Sequence, residues 1–275
     1  MKNRKSITSM IMIGILIICA VSVSAQDWPQ WRGANRDSKV TGFKVPQTWQ
    51  QELNQSWKVD VGFADATPAL VNNRLYVFTR QGEKEVLRCL NSATGEQIWQ
   101  TEGYVAATVT GPARSHPGPR STPAVADGKV VTVGVGGVVS CHNAASGKLI
   151  WRSEDFTDAY PRYFMGMSPL IVDGLCVAHL GGTGSGQFVA FELATGNIKW
   201  KTAGSGPGYG SPVMITVDGT KQCVFQAERK LVGLDLSDGA LLWEVSTPME
   251  GRSFYAASPV ADQQKVYYTG ANNGV

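Results

Sequence analysis

The chain has 275 residues, with 25 basic and 22 acidic side chains and a formal net charge of +3. Three of the basic residues and none of the acidic ones stand in the first 25 positions, so the remainder is electrically balanced and has no basic stripe to serve as a nucleic-acid footprint. A chain of this length buries a sizeable core without disulfide staples.

The first predicted element is a secretory signal peptide over residues 1–25. Lys2, Arg4 and Lys5 form its positive region, Met10 to Val23 its apolar stretch, and Val23-Ser24-Ala25 its small-residue cleavage site. The apolar stretch is shorter than the ~20 residues of a spanning helix, so no membrane insertion is expected once it is removed. Cys19 follows Ile18, where a lipidation signal needs a small residue, so cleavage after Ala25 is expected instead. These features imply export, either periplasmic or extracellular. An N-terminal segment over 26–66 follows. Trp57 stands before Pro68 much as Trp200 stands before Pro212, which predicts a closing strand over Gln55 to Val59 without a sheet of its own.

From residue 67 onward the chain repeats itself. Gly95, Gly147, Gly196 and Gly239 each precede a tryptophan by four residues, at Trp99, Trp151, Trp200 and Trp243. The tryptophans recur at steps of 52, 49 and 43 residues, the range in which a period signals stacked supersecondary units. A second marker runs in phase: Thr67-Pro68, Thr122-Pro123, Ser168-Pro169, Ser211-Pro212 and Ser258-Pro259. Between the markers lie short apolar runs such as Arg74 to Phe78, Lys129 to Val133 and Leu175 to Ala178, punctuated by Asn-Asn, Asp-Gly or Gly-Gly. Such runs read as hairpin-linked strands. Each repeat is therefore a four-stranded antiparallel meander, A to D, with Pro opening strand A and Trp closing strand D. Radial repetition of such sheets is an all-β propeller.

The phrase Leu/Cys-x-Asn/Asp-x-x-Thr-Gly-x-x-x-Trp resembles the tryptophan-docking repeat of the pyrroloquinoline-quinone (PQQ) propeller superfamily. Asp27-Trp28-Pro29-Gln30-Trp31-Arg32-Gly33 and Gly118-Pro119-Arg120-Ser121-Thr122-Pro123 resemble secreted bacterial PQQ-like repeat proteins. That superfamily includes quinoprotein dehydrogenases and a non-catalytic lipoprotein of the outer-membrane barrel assembly machinery. The resemblance implies seven or eight blades. Four complete blades (67–100, 122–152, 168–201, 211–244) and half a fifth are counted within 67–275, so the chain reads as part of a larger ring whose isolated form is an open arc.

Strand alternation puts the D-to-A connections and B-to-C turns on one face. These connections are long and varied, and binding residues concentrate on long loops held by a rigid scaffold. They carry Arg114, His116, Arg120, Arg162, Tyr163, Phe164, Tyr209, Arg252 and Tyr255, a candidate ligand face for a protein, a peptide or a small acidic ligand. The competing reading is that the aromatics pack between blades and the arginines are solvated.

Catalytic signatures are sparse. Val138 stands where a haem attachment motif ending in Cys141-His142 would need a cysteine. Gly182 to Gly186 and Gly204 to Gly208 match no phosphate-loop pattern and are expected to be turns. The resemblance to dehydrogenases would imply PQQ, Ca²⁺, a carboxylate base and a vicinal cysteine pair; no two cysteines are adjacent here. No cofactor, catalytic residue or metal ligand is expected. Cys89 and Cys141 share a register that calls for a small residue, while Cys176 and Cys223 are placed in the register of Tyr76 and Val131. All four are expected to be buried thiols. The leading reading is an exported, non-enzymatic binding scaffold, with a quinoprotein oxidoreductase and an outer-membrane assembly factor as alternatives.

Overall fold

The computed structural model describes residues 26–247 and 254–269. Four antiparallel sheets follow one another along the chain, each a meander in sequence order. The first blade holds β1 (Ala69–Val71), β2 (Arg74–Gln81), β3 (Lys84–Asn91) and β4 (Gln97–Gln100), with β5 (Tyr104–Val105) added to β3. The second holds β6 (Ala124–Ala126), β7 (Lys129–Val133), β8 (Val139–Asn143) and β9 (Leu149–Ser153). The third holds β10 (Leu170–Val172), β11 (Leu175–Gly182), β12 (Ser185–Glu192) and β13 (Ile198–Gly204). The fourth holds β14 (Val213–Val217), β15 (Thr220–Gln226), β16 (Lys230–Asp235) and β17 (Leu241–Ser246). A hairpin of β18 (Val260–Asp262) and β19 (Lys265–Tyr267) opens a fifth.

The A-to-B turns are built from Asn72-Asn73, Asp127-Gly128, Asp173-Gly174 and Asp218-Gly219, every one with positive φ. This is the turn whose twist matches paired strands. Both glycine-rich stretches fall on strand ends and the loops beside them.

Side chains alternate across each strand, so the core is divided among the interfaces between blades. On β11, Cys176, Ala178 and Leu180 pack with Val131, Val139 and Trp151 of the second blade. Val177, between them in sequence, packs with Cys223, Phe225 and Leu234 of the fourth. The register assigned to Cys176 and Cys223 from sequence is therefore corrected by one residue. Val177 and Val224 pair with Leu170 and Val213, as Tyr76 pairs with Ala69. A one-residue shift turns a side chain to the opposite face, so both thiols face the preceding blade, not the following one. Burial pushes the Cys141 and Cys223 thiols up to about 12, and all four described cysteines are free.

The C-to-D turn explains the repeated phrase. The N–H groups of Gly95, Gly147, Gly196 and Gly239 donate to the carbonyls of Asn91, Asn143, Glu192 and Asp235 at 2.8–2.9 Å. Each glycine has φ between +74° and +79°, accessible at little cost only without a Cβ. Over each lies the tryptophan of the preceding repeat. A Cβ built on Gly95, Gly147, Gly196 or Gly239 would stand 2.5–2.6 Å from a ring atom of Trp57, Trp99, Trp151 or Trp200, respectively. The indole N–H groups of Trp57, Trp151 and Trp200 donate to Ser92 O, Leu193 O and Leu236 O. Ala144 O, the equivalent acceptor for Trp99, is taken by Tyr76 Oη at 3.1 Å, and Trp99 Nε1 is buried without a partner.

Gln55 to Val59 makes no ladder with any described strand, because a strand forms only beside a partner; β19 pairs only with β18. Trp57 nevertheless takes the docking position on the first blade.

His179 lies buried in the third blade, stacked on Phe188 at 4.0 Å, with Nε2 3.0 Å from Ser205 O. Burial pushes its pKa down to about 3, and that of His142 to about 4. A folded-state value below the unfolded one means that the unfolded chain binds more protons between about pH 6.5 and 3. Stability is expected to be fully present above pH 6.5 and to fall as pH drops through that window. Urea midpoints between pH 7 and 4 check this: His179→Gln should flatten the slope, and an unchanged slope would place the acid sensitivity elsewhere.

Candidate functional site

Residues 26–41 form a loop inserted along the axis around which the blades are arranged. Asp27 Oδ1 accepts from Asn72 N at the A-to-B end, and Trp28 pairs with Leu70 of β1 through bonds of 2.7 and 3.0 Å. Pro29 O accepts from Val125 N of β6 at 2.8 Å. At the loop tip, Arg36 is only 4% exposed. Its Nη1 donates to Pro212 O at 2.8 Å, its Nη2 to Pro169 O, and its Nε to Gln30 Oε1 at 3.1 Å. Trp31 Nε1 reaches Ser258 Oγ at 3.1 Å. The chain returns to its starting point where Thr41 N donates to Gln26 Oε1. One loop thus touches the innermost segment of every blade and of the fifth hairpin.

The Ser-Pro markers join the blades at the same level. Thr122 N donates to Ser168 Oγ, Ser168 N to Ser211 Oγ and Ser211 N to Ser258 Oγ, each at 2.9 Å. The residue before the strand-opening proline is therefore a clip to the preceding blade.

Above these hydroxyls, on the D-to-A face, is a cavity of about 380 Å³. Trp31, Arg120, Tyr163, Tyr209 and Phe254 line it, with Ser168, Ser211 and Ser258 among the hydroxyls. Tyr163, Tyr209 and Phe254 form a triangle of rings with centroids 5.0–5.9 Å apart, and Tyr209 Oη accepts from Tyr163 N. Arg120 Nη2 donates to His116 O at 2.7 Å, while Nη1 is buried without a partner. Burial pushes the Arg120 pKa down, opposed by Asp65, Tyr209 and Glu85.

Of the residues proposed from sequence, Arg120, Tyr163 and Tyr209 come together in this cavity. His116 sits at its edge, with Nδ1 3.0 Å from Asp65 Oδ1. The exposed Arg162 lies over the Tyr163 ring at 5.6 Å, and Arg114 is exposed outside the lining. Tyr255 is 3% exposed and serves through its carbonyl, which accepts from Tyr209 N; Phe164 is likewise buried, stacked on Tyr160 at 4.4 Å. Arg252 lies outside the described residues. Sequence reasoning missed Trp31, Phe254 and the three serines, although the fivefold recurrence of Thr/Ser before Pro was a visible signal.

A calcium-held quinone needs a cluster of oxygen donors, carboxylates foremost. The described lining of this cavity has no carboxylate, and no group of three His, Cys, Asp or Glu among the described residues is placed to hold a metal ion. The donor set does not fit that group. No described helix is long and apolar enough to cross a membrane.

Four-stranded blades joined by tryptophan-on-glycine docking define the class: a PQQ-like β-propeller. The family model described as outer membrane protein assembly factor BamB matches residues 83–275, and the chain belongs to that family. Curated relatives of that name come from Xanthomonas campestris pv. campestris, 30% identical over 125 residues, and Yersinia pestis, 26% identical over 209 residues. The matches cover 44% and 73% of this chain but only 28% and 47% of those relatives, so the chain spans less than half of their length. Among solved structures, BamB from Moraxella catarrhalis aligns with a TM-score of 0.53 at 16% identity, covering 75% of this chain and 55% of that one. A quinohemoprotein alcohol dehydrogenase from Comamonas testosteroni aligns at 0.57 and 18% identity, covering 88% and 45%. At these identities both show the fold alone.

Proposed function

We propose that this chain is an exported, non-enzymatic propeller that binds polypeptide partners during outer-membrane protein assembly and uses no quinone cofactor. Membership of a family described as an outer membrane protein assembly factor supports the assembly role. The observation that carries the binding role is the aromatic cavity over the axis, walled by four D-to-A connections and lined also by Trp31. The leader over 1–25 supports export to the periplasm, where such clients are met before insertion.

Two measurements test this. Leader-free protein dialysed after mixing with PQQ and Ca²⁺ is expected to retain no stoichiometric quinone and to reduce no artificial acceptor with alcohols or aldoses; retention with turnover overturns the non-enzymatic reading. The same protein should bind a β-barrel polypeptide freshly diluted from urea, read by fluorescence anisotropy. An affinity no better than that of an unrelated propeller would sink the assembly role.

A further inference from the structure

The cavity over the axis is unusual in what its polar groups can do. The hydroxyl oxygens of Ser168, Ser211 and Ser258 are already occupied as acceptors by backbone N–H groups, and that of Ser258 also by the Trp31 indole. Tyr209 Oη likewise accepts from Tyr163 N. Ser258 Oγ, which accepts two bonds, has only its O–H left to offer, while Ser168, Ser211 and Tyr209, which accept one each, keep an O–H and a second lone pair. Arg120 adds a guanidinium whose Nη1 is buried and unpartnered, and guanidinium groups only donate. The carboxylate beside it, Asp65, is engaged by His116. The described lining is thus rich in O–H and guanidinium donors and has no carboxylate among its side chains, and Trp31, Tyr163, Tyr209 and Phe254 enclose it.

A buried donor left unmade is costly, and a charged acceptor satisfies it most strongly. Aromatic walls complement a flat apolar body, with ring edges and faces at the spacing found here. We infer that this cavity is a carboxylate-recognition site: Arg120 and the hydroxyls of Ser168, Ser211 and Ser258 hold the carboxylate, and the four aromatic side chains hold the aromatic or apolar body attached to it. Resting on the scaffold reading above, the occupant is a residue of a bound polypeptide, and Trp31 makes the axial loop part of the site.

The test uses leader-free full-length protein and four probes followed by Trp fluorescence and by ligand-observed NMR: N-acetyltyrosine, N-acetylglutamyl-tyrosinamide, benzoate and N-acetyltyrosinamide. The first three carry a carboxylate on a chain terminus, on a side chain and on a free small acid; the last has none. At least one peptide acid should bind about tenfold or more tightly than N-acetyltyrosinamide, the factor expected from one charge-assisted hydrogen bond. Arg120→Gln should abolish that preference, so that the acids and the amide bind the variant with equal affinity. Equal affinity of acids and amide in the unmodified protein, or no binding of any probe at 50-fold excess over about 1 mM, overturns the site without bearing on assembly. Binding of benzoate alone overturns the polypeptide occupant. Because the acid-to-amide comparison is made on the unmodified chain, a variant that fails to fold does not shield the inference.

Discussion

Trp151→Ala is expected to destabilise the protein by about 3–5 kcal/mol, the range for removing a large aromatic from a core. The indole is 8% exposed, stacks on Phe191 at 5.6 Å and donates to Leu193 O, so it links the second blade to the third. Truncation opens a cavity between two sheets and leaves the buried Leu193 carbonyl with only the weak Cys141 thiol donor at 3.8 Å. Gly196→Ala attacks the same contact from the other side: its backbone is at φ +79°, and its Cβ would stand 2.6 Å from the ring. If docking is the cause, the two changes are strongly non-additive. In the Trp151→Ala background, Gly196→Ala should cost only the left-handed backbone term of roughly 1–2 kcal/mol. Denaturant titration of full-length protein measures both. A loss under about 1 kcal/mol for Trp151→Ala would mean that the blades are held together elsewhere.

Arg36→Ala is expected to cost about 2–4 kcal/mol. Two effects oppose each other. Burying a guanidinium away from carboxylates is unfavourable, and burial pushes the Arg36 pKa down to about 9, so the side chain is still charged at neutral pH. Against that, the change strands the buried carbonyls Pro169 O and Pro212 O, each left-over acceptor costing about 1–3 kcal/mol, and removes the donor to the half-buried Gln30 Oε1. The stranded acceptors outweigh the relief of desolvation. Arg36→Lys should recover only part of the loss, because a point-like ammonium lacks the fork that spans two carbonyls. Thermal melts of both variants decide it; an unchanged midpoint for Arg36→Ala would show that the loop does not hold the blades.

The blade boundaries were legible from residues 67 to 267 because the repeat writes its constraints locally. A left-handed glycine four residues before a tryptophan, an Asp-Gly or Asn-Asn turn and a strand-opening proline each reflect backbone geometry within a few residues. The face of Cys176 was not legible, since hairpin register rests on a count in which one residue reverses every side chain. The candidate site was half legible: loop length and composition pointed to Arg120, Tyr163 and Tyr209 but also to Arg114 and Tyr255, and nothing local separates a ring that lines a cavity from one that packs beneath it.

Sequence alone determined the fold class, the blade order and the docking tryptophans, because each depends on short-range pattern and period. Only the tertiary structure decided that the loop over 26–41 runs along the axis, that Arg36 binds carbonyls of the third and fourth blades, and that the serines before the prolines clip one blade to the next. Those contacts join residues 43 to 227 positions apart. Pairings at such distances leave no periodic trace in the chain and exist only once the blades have been brought round a common axis.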